Sequence, residues 1–166
     1  MIDILKLSQS YDVRRLDEND LEDIYRICQE NSQFYRYCEA EATREQILND
    51  MHITPPGIDH SEKYYLGFYK KNELIAVMDL IDGYPEKRIV FIGFFMMKKE
   101  HQGQEIGSRI IDETAEHLKE AGFVSIHLGI DKDNPQSNHF WKKNGFSIIR
   151  EVERNGWTIL YAEKKL

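Results

Sequence analysis

The sequence has few cysteines and no long apolar run, and both absences exclude classes of protein. Cys28 and Cys38 are the only cysteines among 166 residues, and their placement suggests neither a disulfide framework nor a metal site. No apolar run approaches the length of a membrane span, and the N-terminal residues lack the basic start and apolar stretch of a signal peptide. We therefore expect a cytoplasmic protein with no bound metal and no membrane partner.

An excess of basic residues is also missing. The chain carries 22 Lys and Arg residues against 29 Asp and Glu residues, which gives a formal net charge of −7. Nucleic-acid-binding domains usually show a basic stripe or patch, and none is visible here. We therefore expect no nucleic-acid partner, whereas a cationic substrate would be tolerated by such a surface.

The composition is that of one ordinary globular domain. Hydrophobic residues make up 41% of the chain and charged residues 31%, and no repeat, low-complexity tract or flexible linker interrupts it. A chain of this length can bury a real core. We expect residues 1–166 to form a single domain.

The order of hydrophobic patterns predicts a mixed fold of the α/β (α+β) class. Apolar runs and alternations predict six to seven strands, and apolar residues at helical spacing predict about four helices. The most apolar run, Arg88–Met97, is typical of a central strand that is covered on both faces. The pair Asn155–Gly156 predicts a two-residue hairpin turn near the C-terminus.

The stretch KKEHQGQEIGSRII, Lys98–Ile111, joins a glycine-marked polar loop directly to the start of a helix. Helix starts have unpaired N–H groups and a partial positive charge, so such a junction can bind a phosphate. Gly103 and Gly107 alone are a weak signal, and an ordinary loop explains them about as well. A dinucleotide-binding fold would need G-x-G-x-x-G near the N-terminus, and a Walker loop would need Gly-Lys-Ser/Thr; neither is present.

Two motifs taken together are more specific. The stretches QGQEIGSRII and NPQSNHFWKKNGF, separated by one predicted strand, resemble the two motifs of the GNAT (GCN5-related N-acetyltransferase) family. The matching positions are Gln102, Gly107, Asn134, Ser137, Phe140, Gly145 and Phe146. The order of elements over nearly the whole chain also looks like the GNAT fold. The resemblance implies a mixed sheet that splays at a cofactor site, and transfer of an acetyl group from acetyl-CoA to a primary amine.

The resemblance also implies where acetyl-CoA, or coenzyme A after transfer, would bind. The pyrophosphate would lie on the amides of residues 102–108, and the pantetheine arm would pair with the backbone of residues 95–97 at a bulge. Asn134 would hydrogen-bond the arm, although a plain helix cap explains this residue too, and Phe140 could equally be a core aromatic. The implied cofactor-binding residues are Phe95, Met96, Met97, Gln102, Gly103, Gln104, Glu105, Ile106, Gly107, Ser108, Asn134, Ser137, Asn138, Phe140, Trp141 and Lys143.

Two residues depart from the family pattern. Glu105 stands where a strict glycine is expected, and a carboxylate near a pyrophosphate is repulsive. We expect Glu105 in the first helical turn, pointing to solvent. Trp141 stands where many members have a tyrosine that protonates the departing thiolate; its indole N–H can hydrogen-bond there but cannot act as an acid. These departures leave a second interpretation open, a catalytically weak or inactive acyl-CoA-binding sensor or interaction module.

The run Arg88–Met97 contains no carboxylate, although family members usually have one on that strand. Asp79 and Asp82, on the preceding strand and at its end, are the nearest candidates for a base. We favour Asp79 because an acid inside an apolar strand is unfavourable without a partner or water, although a structural hydrogen bond explains it as well. Asp82 before Gly83 also fits a turn residue.

Aromatic residues beside acids suggest where an amine could bind. Tyr35, Tyr37 and Tyr84 are the candidates, because aromatic faces attract ammonium groups. A packed corner with an acidic rim is the simpler explanation of each. The acceptor could be a small-molecule or peptide amine, and the protein could be a monomer or a homodimer.

Overall fold

The chain folds around one seven-stranded sheet in the computed structural model, which describes residues Met1–Leu166. The strands are β1 (Asp12–Arg15), β2 (Lys63–Lys70), β3 (Glu73–Asp82), β4 (Ile89–Met97), β5 (Ser125–Asp131), β6 (Ser147–Arg154) and β7 (Trp157–Lys165). The α-helices are α1 (Leu21–Glu30), α2 (Arg44–His52), α3 (Ile106–Glu120) and α4 (Pro135–Lys143). The predicted numbers of strands and helices are confirmed.

The sheet is mixed, with strand order β1-β2-β3-β4-β5-β7-β6. Only β4 and β5 run parallel, because α3 connects them as a crossover. The longest helix, α3, has 15 residues, and no helix combines the length and apolar character that crossing a membrane would take. Strand β4 is the middle strand, as the apolar run Arg88–Met97 predicted.

Helices cover both faces of the central strands, which explains the largely apolar sequences of β3 and β4. On one face, α3 contributes Ile110, Ile111 and Leu118 to a buried cluster with strand residues. On the other face, α1 and α2 contribute residues such as Ile24 and Ile47 to a second cluster. In each helix these residues recur at helical spacing, so one stripe of each helix is apolar and faces the sheet.

The parallel pair β4–β5 is short, and this interruption creates the site. Pairing runs from Ile89 opposite Ser125 to Ile92 opposite Leu128, and then stops. At the same point, the β3–β4 register shifts and leaves Gly93 without a partner on β3. A bulge of this kind bends the strand that carries it. Strands β4 and β5 therefore diverge from Gly93 onward, and the splay that the family resemblance implied is confirmed.

The C-terminal hairpin has the predicted turn. Strand β6 ends at Arg154 and β7 begins at Trp157, so Asn155 and Gly156 form the two-residue connection. Both have positive φ angles, +50° and +82°. That conformation matches the right-handed twist of the flanking strands and is the reason for the Asn-Gly pair.

Gly67 on β2 provides a test of the packing on which this sheet depends. A Cβ atom at residue 67 would lie 2.6 Å from Leu74 Cδ1 and 2.7 Å from Leu16 Cδ2. Both leucines are themselves buried. We expect Gly67→Ala to lower the free energy of unfolding by about 1–3 kcal/mol, measured by chemical denaturation. The exposed-strand variant Ser147→Ala is the control, and equal stability of the two variants would contradict the packing described.

Candidate active site

A cavity of about 380 Å³ opens where β4 and β5 diverge. Its walls come from β4 and β5, the start of α3, helix α4 and the segment after α1. The predicted cofactor residues that line it are Phe95, Met96, Met97, Gln102, Gly103, Glu105, Gly107, Ser108, Asn134, Ser137, Phe140, Trp141 and Lys143. Three others, Gln104, Ile106 and Asn138, lie outside its lining. The two sequence motifs therefore meet at one cavity, although more than 20 residues separate them in the chain.

The N-terminal end of α3 presents free hydrogen-bond donors. None of the six backbone N–H groups from Gly103 to Ser108 donates to an acceptor within the protein. The first turn of α3 contains no acidic residue, so the helix dipole adds an uncompensated partial positive charge. The N–H of Gln102 is not part of this set, because it donates to the Lys99 carbonyl at 3.2 Å. A pyrophosphate fits the donors from Gly103 onward.

The open edge of β4 presents a second set of free backbone groups. The N–H of Lys98 donates to the Ile75 carbonyl on β3 at 2.8 Å. Because backbone groups alternate along a strand, the N–H and C=O groups of Phe95 and Met97 point away from β3. The N–H groups of both residues and the Phe95 carbonyl have no partner within the protein. An extended amide-containing arm can pair there as an added strand.

The side chain of Gln102 fixes the end of this edge. Its Nε2 donates to the Met97 carbonyl at 3.0 Å and to Asn31 Oδ1 at 2.7 Å. Asn31 Nδ2 also donates to the Met97 carbonyl, at 3.0 Å. Gln102 therefore connects the loop, β4 and the end of α1. Asn31 was missed in the sequence, since nothing in the pattern after α1 distinguishes it from a helix-terminating polar residue.

Helix α4 begins with a side-chain cap that lies in the cavity wall. Asn134 is buried, and its Oδ1 accepts a hydrogen bond from the Ser137 N–H at 3.1 Å. The cap interpretation of Asn134 is confirmed, and its position in the cavity lining leaves the cofactor role as a prediction. Asn138 Nδ2 donates to the carbonyls of Asp131, Lys132 and Asn134, so this side chain joins α4 to the end of β5.

Aromatic rings form the inner wall. Phe140 stacks on Phe95 with ring centroids 5.8 Å apart, and Trp141 packs edge-on against both Phe140 and Phe146. The Trp141 side chain is buried in the cavity lining. A Cβ at Gly107 would lie only 3.2 Å from the Phe140 ring. The ring packing therefore favours glycine at this position, because a larger residue would have to displace Phe140 by a few tenths of an ångström.

The two predicted bases do not line the cavity. Asp79 is buried on β3, where its Oδ2 lies 2.7 Å from Lys63 Nζ and its Oδ1 has no partner. Burial raises the pKa of Asp79 to about 6, although Lys63 lowers it in part. Asp82 lies 3.6 Å from the N-terminal amine of Met1. The hydrogen-bonded, structural interpretation of Asp79 thus describes its position better than direct contact with a substrate.

The predicted acceptor tyrosines also lie outside the cavity lining. Tyr35 packs against Phe34 with ring centroids 5.1 Å apart, and Tyr84 packs against Phe91 at 5.4 Å. Tyr37 ends the single-turn helix after α1. Phe34, not one of the tyrosines, reaches the cavity. The segment after α1 thus borders the cavity through Phe34, and a role of the three tyrosines in binding an acceptor stays a prediction.

An acid that was not predicted from the sequence does line the cavity. Asp131 is the last residue of β5, three residues beyond Leu128, where pairing with β4 ends. Its carboxylate makes no hydrogen bond or ion pair within the protein, and burial raises its pKa to about 6. An acid at the end of the predicted strand between the two motifs was the available signal in the sequence. Asp131 is therefore the carboxylate best placed to accept a proton in the cavity.

Comparison with known proteins identifies the family to which the chain belongs. Residues 20–146 match the model described as the acetyltransferase (GNAT) family. The chain belongs to the GNAT acetyltransferase family. A curated relative, the ribosomal-protein-serine acetyltransferase of Escherichia coli (strain K12), is 25% identical over 157 residues, which cover 89% of this chain and 85% of that protein.

Solved structures agree with the GNAT fold. An acetyltransferase from Thermus thermophilus has a TM-score of 0.75 and 19% identity, with 95% of this chain and 97% of that one covered. The PaiA N-acetyltransferase of Thermoplasma acidophilum, solved in complex with coenzyme A, has a TM-score of 0.67 and 21% identity, with 95% and 100% covered. At these identities the structures support the fold.

Glu105 is one of the two residues that depart from the GNAT sequence pattern. It does not lie in the first turn of α3, so the prediction that it would is wrong. It is the residue before α3 and has a left-handed backbone with φ +61°. Glycine adopts this conformation without strain, which explains the glycine of the family pattern. The Glu105 side chain is 65% exposed and forms an ion pair with Lys143, which is 44% exposed. A hydrogen bond from Lys143 lowers the pKa of Glu105.

This ion pair predicts that Glu105 competes with the cofactor for Lys143. Glu105→Gln removes a negative charge near the free amides and releases the ammonium group of Lys143. We expect the dissociation constant for coenzyme A to fall by about twofold to fivefold, the range that an exposed ion pair can supply, measured by calorimetry. Glu116→Gln, an exposed change further along α3, is the control. Weaker binding, or an effect equal to the control, would show that the pair does not oppose the cofactor.

Proposed function

We propose that the chain is an acetyl-CoA-dependent N-acetyltransferase that acts on a primary amine of a small molecule or peptide. The observation that carries the proposal is the cavity between β4 and β5, which brings two sets of unpartnered backbone donors and a partner-free carboxylate together. The donors from Gly103 to Ser108 suit a pyrophosphate, and the edge at Phe95 and Met97 suits an amide-containing arm. These residues fit coenzyme A, and GNAT membership supports the same cofactor.

The protein's own groups would then perform three tasks. When bound, acetyl-CoA supplies the acetyl thioester that an amine attacks. The Met97 N–H is placed to stabilise negative charge on a carbonyl oxygen at the β4 edge. The Asp131 carboxylate accepts a proton from the attacking amine, directly or through water. Phe95, Phe140 and Trp141 exclude water from the inner end of the cavity.

Transfer to an amine is tested by thiol release from acetyl-CoA. We expect release to depend on an added amine, because a free amine must attack the thioester. The panel contains a polyamine, an aminoglycoside and peptides with free N-termini. A peptide that begins with serine is included, since the Escherichia coli relative is named for a serine. Reactions without amine give the background.

A second candidate function is cofactor binding without transfer. Trp141 favours it, because this residue packs among aromatic rings and has no group that could protonate a leaving thiolate. Calorimetric binding of coenzyme A combined with no amine-dependent thiol release across the panel would support the sensor and contradict the transferase.

The role of Asp131 predicts a specific pH dependence. Its pKa is raised above the ordinary value to about 6, so its basic form is lost as the pH falls through that value. At saturating acetyl-CoA, we expect Asp131→Asn to lower kcat by about 100-fold or more and to remove the acidic limb of the pH–rate profile. The wild-type profile alone does not identify the base, because Asp79 also has a pKa of about 6.

Asp79→Asn is the matched control for this experiment. It removes a carboxyl with a similar pKa but lies outside the cavity lining. We expect the acidic limb to persist in Asp79→Asn. The opposite pattern, in which Asp131→Asn keeps the limb and Asp79→Asn loses it, would assign the base to Asp79.

A further inference from the structure

The divergence of β4 from β5 begins beside a buried carboxylate. A Cβ atom at residue 93 would lie 2.5 Å from Asp79 Oδ2, so the carboxylate occupies the space that a side chain at this position would fill. The register shift between β3 and β4 falls at the same residues, with Asp79 opposite Phe94 and Leu80 opposite Ile92. Pairing with β5 stops at Ile92, one residue before Gly93. Two changes in the sheet, the register shift against β3 and the end of pairing with β5, therefore coincide at the Asp79 side chain.

The carboxylate is held in place by Lys63. Lys63 Nζ lies 2.7 Å from Asp79 Oδ2, and only 4% of the Lys63 side chain and 9% of the Asp79 side chain are exposed. Asp79 Oδ1 has no hydrogen-bond partner. Removing two charges from water costs free energy that their attraction often fails to recover, and apolar residues of similar size are commonly as stable or more so. A gain in the stability of the folded protein is therefore a poor explanation for the presence of this buried ion pair.

We propose that the Asp79–Lys63 pair is a positioning spacer that keeps Gly93 bulged and β4 separated from β5. The carboxylate stands against the Gly93 backbone, and the lysine fixes its orientation from the β2 side. Without the spacer, β4 can straighten at residue 93 and extend its parallel pairing with β5. The open edge at Phe95 and Met97 would then be covered by β5.

The spacer acts through the backbone and not by contact with reactants, because Asp79 and Lys63 do not line the cavity whereas Gly93 does. Its importance for catalysis rests on the proposed function. Its effect on the sheet does not, since the pairing of β4 with β5 can be measured without any cofactor or amine. Failure of the spacer and failure of the transferase are therefore distinguishable.

The test compares Asp79→Asn with Asp79→Ala. Both leave Lys63 without a carboxylate, so the cost of an unpaired buried cation is common to them. Asparagine keeps the shape and can accept a hydrogen bond from Lys63, whereas alanine removes the spacer. The first readout is amide hydrogen exchange at Phe95 and Met97 in the cofactor-free protein. The second is the dissociation constant for coenzyme A, by calorimetry.

We expect Asp79→Asn to exchange like the wild-type protein at these two amides. In Asp79→Ala, protection should rise about tenfold or more, because the amides gain partners on β5. Coenzyme A should bind about tenfold more weakly, which corresponds to about 1.4 kcal/mol. The exposed-pair variant Glu22→Ala/Arg44→Met, which removes an ion pair of 2.6 Å between α1 and α2, should change neither readout.

A third variant keeps the test decisive if alanine at residue 79 alone prevents folding. Asp79→Ala/Lys63→Met removes the spacer without leaving a buried charge, and the same rise in protection is expected. Adding Gly93→Ala to this double variant places a methyl group in the space of the missing carboxylate, so protection should fall again. Equal exchange in the asparagine and alanine variants, or in the double and triple variants, would overturn the proposal.

Discussion

Strand β4 has no neighbour on its β5 side beyond Ile92, and the backbone that follows carries hydrogen-bonding groups with no strand to receive them. Unpaired backbone groups in a protein interior are costly. Here they border a cavity, so they remain available to a ligand. The free amides at the start of α3 border the same cavity, so two separate sets of donors face one space. A long ligand with an anionic end and an amide-containing arm is what such a space accommodates.

Asp79 and Asp131 show how hydrogen-bond and ion-pair partners give different roles to two identical side chains. Burial raises the pKa of both Asp79 and Asp131 to about 6. Asp79 is closed off by Lys63 and by the backbone at Gly93, so its carboxylate shapes the sheet. Asp131 has no partner and borders the cavity, so its carboxylate is free to take a proton. Their pKa values are alike and do not distinguish the two residues. Their contacts do, because only Asp79 has an ion-pair partner.

At the end of the cavity where we propose that the phosphates bind, Glu105 would compete with them for Lys143. Glu105 adopts a left-handed backbone that glycine would adopt at lower cost, roughly 1–2 kcal/mol for an L-residue in this region. Its carboxylate pairs with Lys143, which also lines the cavity. Because both side chains are substantially exposed, water and salt screen the pair, and a multiply charged phosphate group can displace the carboxylate.

Local features were readable in the sequence because their causes are short-range. The Asn155–Gly156 turn, the Asn134 cap and the glycine-marked start of α3 each depend on residues within one turn of the chain. The order of apolar patterns likewise predicted the mixed sheet, and most of the predicted cofactor residues line the cavity.

Which acid, tyrosine or amide reaches the cavity was decided only by the tertiary structure. Asn31, Gln102 and Met97 meet across three separate segments. Asp79 lies on the predicted strand but on a face closed by Lys63, and Asp131 reaches the cavity because β5 ends where β4 has already diverged. A shift of one residue in a strand moves a side chain to the opposite face, and the bulge at Gly93 makes such a shift. Patterns along the chain determine which strands form, but register between strands is a long-range property that the sequence pattern alone does not specify.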